Sequence, residues 1–159
     1  MNRRQCLRLC AVSGITGWSG QALAHHGWSS FDQDRPLYLE GRAVEVRWRN
    51  PHAELVLELA DGLTLPADLA RRTIPAQSAP VDAVAVLSKV TLPRRRDRRW
   101  NVELAPLFRL GQWQVGEVAV GTPLSVVGFG LRDERGEALL RAEYLFVDGK
   151  AYPLRSSPA

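Results

Sequence analysis

Three histidines carry the residue types best suited to chemistry in this chain: His25, His26 and His52. His25 and His26 follow Ala22-Leu23-Ala24, the small-residue pattern of a signal-processing site. Cleavage after Ala24 would make His25 the first residue of the mature chain. Its α-amine and its imidazole Nδ1 could then close a chelate ring on a metal ion, the arrangement called a histidine brace. An alternative chelate uses the amine, the His26 amide nitrogen and the His26 imidazole. In either case His52, in Arg49-Asn50-Pro51-His52, would supply a further nitrogen. All-nitrogen sites of this kind suit Cu(II), with Zn(II) as the alternative. The competing reading is plainer: His25 and His26 form a solvated tail, and His52 is hydrogen-bonded within its turn.

Around these histidines, Asp32 and Glu54 are the carboxylates that could orient an imidazole. Trp28, Phe31 and Trp48 could form a face for an apolar ligand or partner, although aromatic residues more commonly fill a core. The run Arg94-Arg95-Arg96-Asp97-Arg98-Arg99 is the strongest charge feature. Arg94, Arg95 and Arg96 would suit an acidic protein or an anionic lipid surface; otherwise the run is a solvated loop. Glu40, Glu45, Glu54 and Glu58 read as solvated strand faces rather than as an acid–base pair. No catalytic residue is assigned. Both cysteines, Cys6 and Cys10, precede the processing site, so the mature chain would carry no thiol nucleophile and no disulfide.

The first 24 residues read as a signal peptide, possessing the start Asn2-Arg3-Arg4 and a modestly apolar stretch from Leu9 to Trp18. The Arg3-Arg4 pair also fits a twin-arginine signal, and the choice between the two export routes stays open. The expected location is the periplasm. The leader holds three arginines and no acid, so its removal takes the formal net charge from +4 to +1. Strong basicity thus belongs to the leader, and the composition gives no reason to expect a nucleic-acid partner. No apolar run approaches the roughly 18 residues of a membrane span.

The elements that must position these residues read as strands. Leu37 and Leu39 share one face, while Val44, Val46 and Trp48 share a face of opposite parity, which places a phase slip at Gly41. Asn50-Pro51 turns the chain. Ala53, Leu55, Leu57 and Leu59 form a second strand, and Asp61-Gly62 turns into Leu63-Thr64-Leu65. Residues 66–99 form an irregular, arginine-rich insertion. Within it, Leu69 to Arg72 suit a short helix, and Val84, Val86, Val90 and Leu92 permit a strand. Trp100, Val102 and Leu104 alternate; Pro106 to Gly111 suits a short helix. Leu124 and Val126 begin a strand that slips near Gly128. Leu140, Ala142, Tyr144 and Phe146 form the next, and Asp148-Gly149 turns into a last strand with Tyr152 and Leu154. This order predicts an all-β fold in residues 25–159: a small OB-like barrel of five to six strands with one short helix. A β-sandwich is the alternative.

Ala24-His25-His26, Phe31-Asp32, Leu39-x-Gly41 and Val44-x-x-x-Trp48-x-Asn50-Pro51-His52 resemble a family of small secreted bacterial proteins, known only as a domain of unknown function. Leu107-x-Arg109-x-Gly111, Gly121-Thr122-Pro123-Leu124 and Asp148-Gly149 fit the same pattern, whereas residues 66–99 depart from it. The resemblance implies the fold and export, and no activity. The ligand set itself predicts a divalent-metal-binding protein. The alternatives are a non-catalytic OB-like module for a protein, lipid or small apolar ligand, and, less favoured, a copper oxidase.

Overall fold

The structure, a computed structural model, describes residues 27–159. Six strands make one sheet: β1 (Phe31–Arg47), β2 (Glu54–Leu59), β3 (Arg99–Glu103), β4 (Pro123–Leu131), β5 (Leu139–Val147) and β6 (Lys150–Pro153). Their order is β3-β2-β1-β4-β5-β6, and β3 also pairs in parallel with β5. That second pairing closes β1, β2, β3, β5 and β4 into a ring, leaving β6 as an extension on β5. The helices α1 (Ala83–Ser88) and α2 (Leu107–Gln112) are one to two turns each. One sheet closed on itself, with α2 between β3 and β4, is the OB-like barrel the strand order predicts, not a sandwich of two sheets.

Alternation builds the interior. Leu37, Leu39 and Ala43 of β1, Leu55 and Leu57 of β2, Trp100 and Val102 of β3, and Leu140 and Ala142 of β5 all point inward and are buried. Leu110 of α2 plugs the same core. Burying such side chains contributes roughly 1.5–3 kcal/mol each, which makes this the dominant favourable term.

The bend in β1 lies three residues beyond the expected slip. Its register to β2 shifts between Ala43 and Glu45, so Val44 is the extra residue. Gly41 has a different cause. It is paired with Leu59 on one side and Leu124 on the other, and a Cβ there would lie 1.9 Å from the Glu58 carbonyl oxygen. Only glycine lets the two backbones approach so closely. At Gly128 the expected slip is present: β4 and β5 change register between Val127 and Gly128, opposite Glu143.

Two stretches differ from the expectation of strands. After the Asp61-Gly62 turn the chain leaves the barrel, and Leu63 packs on the outer face instead of pairing. The stretch containing Val84 and Val86 is α1. Asp82 caps it by accepting the Ala85 N–H (3.0 Å), and Ala83, Val86, Leu87 and Val90 form a helical stripe. That stripe, with Leu69 from a short 3-10 turn, covers Tyr38, Val127 and Tyr144 on the outside of the barrel. The segment between β2 and β3 is therefore a packed second layer. It is stitched to β1 where Thr91 accepts the Tyr38 N–H and donates to the Pro36 carbonyl, both at 2.9 Å.

Candidate functional site

His52 sits in the turn between β1 and β2, half-buried, just after Asn50-Pro51. The next residue pins the turn to β3: Ala53 donates to the Ala105 carbonyl (3.0 Å) and accepts the Leu104 N–H (2.9 Å). Trp48 packs its ring partly against the barrel core, so it serves the interior more than an open face. Glu54, the first residue of β2, is half-buried and pairs with Arg47 at 3.5 Å.

The N-terminal end of the described chain is anchored on the outer face. Trp28 opens a 3-10 turn, Trp28–Ser30, before β1. Its ring centre lies 3.9 Å from the Arg155 guanidinium carbon and 4.9 Å from that of Arg141. Phe31 and Phe129 meet it edge-on, each with ring centres at 6.3 Å. Arg132 Nε donates to the Ser29 carbonyl at 2.9 Å. Trp28 and Phe31 are thus brought together, with Phe31 fully buried, while Trp48 belongs to the other end of β1.

The cations under Trp28 are held by acids that alternation did not single out. Arg141 places Nε and Nη2 on Glu103 Oε2 at 2.8 and 2.6 Å. Glu103 lies opposite Glu54 across β2 and β3 and opposite Arg141 across β3 and β5. A continuous path therefore runs over the outer face, from the β2 end next to His52, through Glu54 and Glu103, to Arg141 and Trp28. The lateral step from β2 to β5 is two strand spacings, roughly 10 Å.

Arg155 donates through Nε and Nη2 to Glu143 Oε2, at 2.8 and 2.7 Å. Glu143 is fully buried at the β4–β5 irregularity. Its Oε1 has no hydrogen-bond partner, with Gln77 alongside. Burial pushes its carboxyl above the ordinary range, outweighing Arg155 and Gln77.

Asp32 accepts the Asp34 N–H at 3.3 Å and shapes the irregular start of β1. Arg94 and Arg96 are exposed, but Arg95 is taken up internally. Arg95 pairs with Asp97 (2.6 Å), donates to the carbonyls of Glu134, Gly136 and Glu137, and packs over Trp100. The Arg94 and Arg95 amides hydrogen-bond the Glu134 carboxylate, which also pairs with Arg35. Burial pushes Glu134 up, but those amides and Arg35 outweigh it and hold the carboxyl below its usual range.

On the far side of the barrel a groove of about 700 Å³ runs between the second layer and the β5–β6 hairpin. Its walls include Glu40, Arg72, Ser125, Phe146, Asp148 and Lys150. Arg72 lies 4.9 Å from the Phe146 ring centre and pairs with Asp68 at 3.0 Å. At its margin, Tyr38 donates to Glu40 at 2.7 Å, and burial raises the Tyr38 hydroxyl to about 12.

No group of three or more His, Cys, Asp or Glu residues is placed to hold a metal ion among the described residues. His25 and His26 lie outside those residues, immediately before Gly27. Among the described residues, no helix is long and apolar enough to cross a membrane.

Residues 14–64 match the model of DUF6152, a family of unknown function. The DUF6152 match runs from Gly14 through β1, the His52 turn and β2, and so contains all three histidines. It bears out the resemblance carried by the Ala24-His25-His26 and Trp48-x-Asn50-Pro51-His52 motifs. The later motifs of that resemblance lie beyond the matched residues. No curated protein and no solved structure matches the chain.

Proposed function

We propose that this is an exported periplasmic protein, processed after Ala24, that binds one divalent metal ion through His25, His26 and His52. Cu(II) is the favoured ion, with Zn(II) second. The observation that supports this best is the clamp on Trp28. It fixes the chain two residues after His26, on the barrel face that carries the Glu54–Glu103–Arg141 path from the His52 turn. Two residues of extended chain add roughly 7 Å of reach to a point already anchored there. Anchoring also lowers the ordering cost of metal binding, because less chain entropy remains to be lost. A neutral imidazole and a deprotonated amine are required, so affinity falls with acid. Titration with Cu(II) against a competing chelator tests the proposal. His52→Ala and a single alanine inserted before His25 should each weaken binding by at least 100-fold. Unchanged affinity in both removes the proposal.

The groove favours a second reading, a module for a small amphipathic anion. Its size falls in the usual range for ligand sites. Phe146 and Leu124 offer apolar contact beside the Arg72 and Lys150 cations. Calorimetry with a medium-chain fatty acid, on the protein and on Lys150→Ala, distinguishes this reading from the metal site.

A further inference from the structure

The N-terminal segment is held by an arrangement that an ordinary barrel does not need. Glu143 is a carboxylate with no exposed surface, the extra residue at the irregularity opposite Val127 and Gly128. Arg155 meets its carboxylate twice on a single oxygen, through Nε at 2.8 Å and Nη2 at 2.7 Å, and the Glu143 carbonyl accepts the Leu154 N–H at 2.8 Å. Arg155 is the residue whose guanidinium lies closest over Trp28, and its Nη1 reaches Gln33 Oε1 at 3.5 Å. One ion pair therefore joins β5, the C-terminal tail and the turn that precedes β1. We propose that the Glu143–Arg155 pair is a latch opened by a proton, and that opening it releases the N-terminal segment at Trp28.

The physical case runs from geometry to charge. Beyond Glu143, Trp28 and Gln33, Arg155 lies 5.8 Å from the Phe129 ring centre. Gln77 stands beside Glu143 from the segment between β2 and β3, with its own Oε1 accepting from the Ser156 N–H at 3.0 Å. Tyr144, the next residue on β5, has a buried hydroxyl without a hydrogen-bond partner. Asp82, at the start of α1, acts on Tyr144 with the same sign as Glu143. Arg141, the other cation on Trp28, is committed to Glu103. Protonating Glu143 removes the charge that fixes Arg155. Arg155 keeps some solvent exposure, so its guanidinium can then turn to water. Trp28 loses its nearest cation and retains only Arg141. Because burial already favours the neutral carboxyl, the proton need not be taken from strong acid. None of its groups is a proposed metal ligand, although the latch acts on the same Trp28 clamp that supports the metal reading.

The test is a fluorine NMR titration of the full protein carrying 5-fluorotryptophan, with the Trp28 resonance assigned by Trp28→Phe. The proposal expects the Trp28 signal to move in one step as pH falls, with its midpoint above the ordinary glutamate range. In Glu143→Gln the signal should sit at the acid position at every pH, with the step lost. In Arg155→Met it should also be released and flat, which keeps the test decisive if Glu143→Gln does not fold. A Trp28 signal that never moves overturns the proposal, and so does a step that survives unchanged in either variant.

Discussion

Two segments cover the outside of the same barrel, and they do it by different physics. The layer between β2 and β3 lays Leu69, Leu87 and Val90 on Tyr38, Val127 and Tyr144, an apolar contact that burial alone stabilises. The N-terminal segment lays Trp28 over Phe31 and Phe129 and completes the contact with two arginines, each tethered to an acid. The apolar contact at the centre of the first cover carries no charge, the layer's ion pair Arg72–Asp68 lying at its edge. The second depends on charges whose partners can be titrated. One cover is held chiefly by apolar area; the other adds a clasp of paired charges to its aromatic contact.

The comparison can be broken most forcefully at Arg155. Removing it in Arg155→Met leaves Glu143 buried without its cation and should cost about 4 kcal/mol at neutral pH. The loss should shrink in acid and largely vanish when Glu143→Gln is added, as measured by urea denaturation of the single and double variants. Leu87→Ala, in the apolar cover, should cost about 3 kcal/mol, with no dependence on salt between dilute buffer and half-molar sodium chloride. A salt-dependent loss there would dissolve the distinction. Glu134→Gln should cost about 2 kcal/mol, since it removes the charge that pairs with Arg35 and sets an NH2 donor against either Arg35 or the Arg94 and Arg95 amides. Asp82→Ala, which uncaps α1, should cost about 1 kcal/mol.

The two buried carboxylates also predict opposite pH trends. Glu134 has a folded pKa held below its unfolded value. Its contribution is present above the unfolded pKa and is lost as pH falls through the folded one. Glu143 has a folded pKa raised above its unfolded value. Its contribution is most favourable in acid and is lost as pH rises through that window. Stability curves of Glu134→Gln and Glu143→Gln against pH should therefore diverge from the wild type in opposite directions.

The barrel was legible in the sequence because period-two alternation reports burial on one face directly. Leu55 and Leu57, Trp100 and Val102, and Leu140 and Ala142 needed no further information. The α1 segment was not legible as a helix, because β-branched valines favour strands locally. Its Asp82 cap and the outer face awaiting cover decided otherwise. Val44 escaped because a bulge is set by pairing with β2, which a single strand does not reveal, and Gly41 drew the eye for a different reason. Of the candidate site, the histidines and Trp28 were visible as residue types. The clamp was not, since Glu103, Arg141, Glu143 and Arg155 sit at positions that alternation assigns to a solvated face. The register irregularity beside Gly128 makes Glu143 an extra residue without a partner on β4, and only the closed ring brings Glu103 beside Arg141.

The measurement that bears most directly on the proposed function is native mass spectrometry of the protein purified from the periplasm, given one equivalent of Cu(II) and a mild chelator. The account predicts a mass beginning at His25 with one copper retained, and loss of that copper in His52→Ala. A ragged N-terminus, copper stripped at once, or copper held equally well by His52→Ala would contradict it.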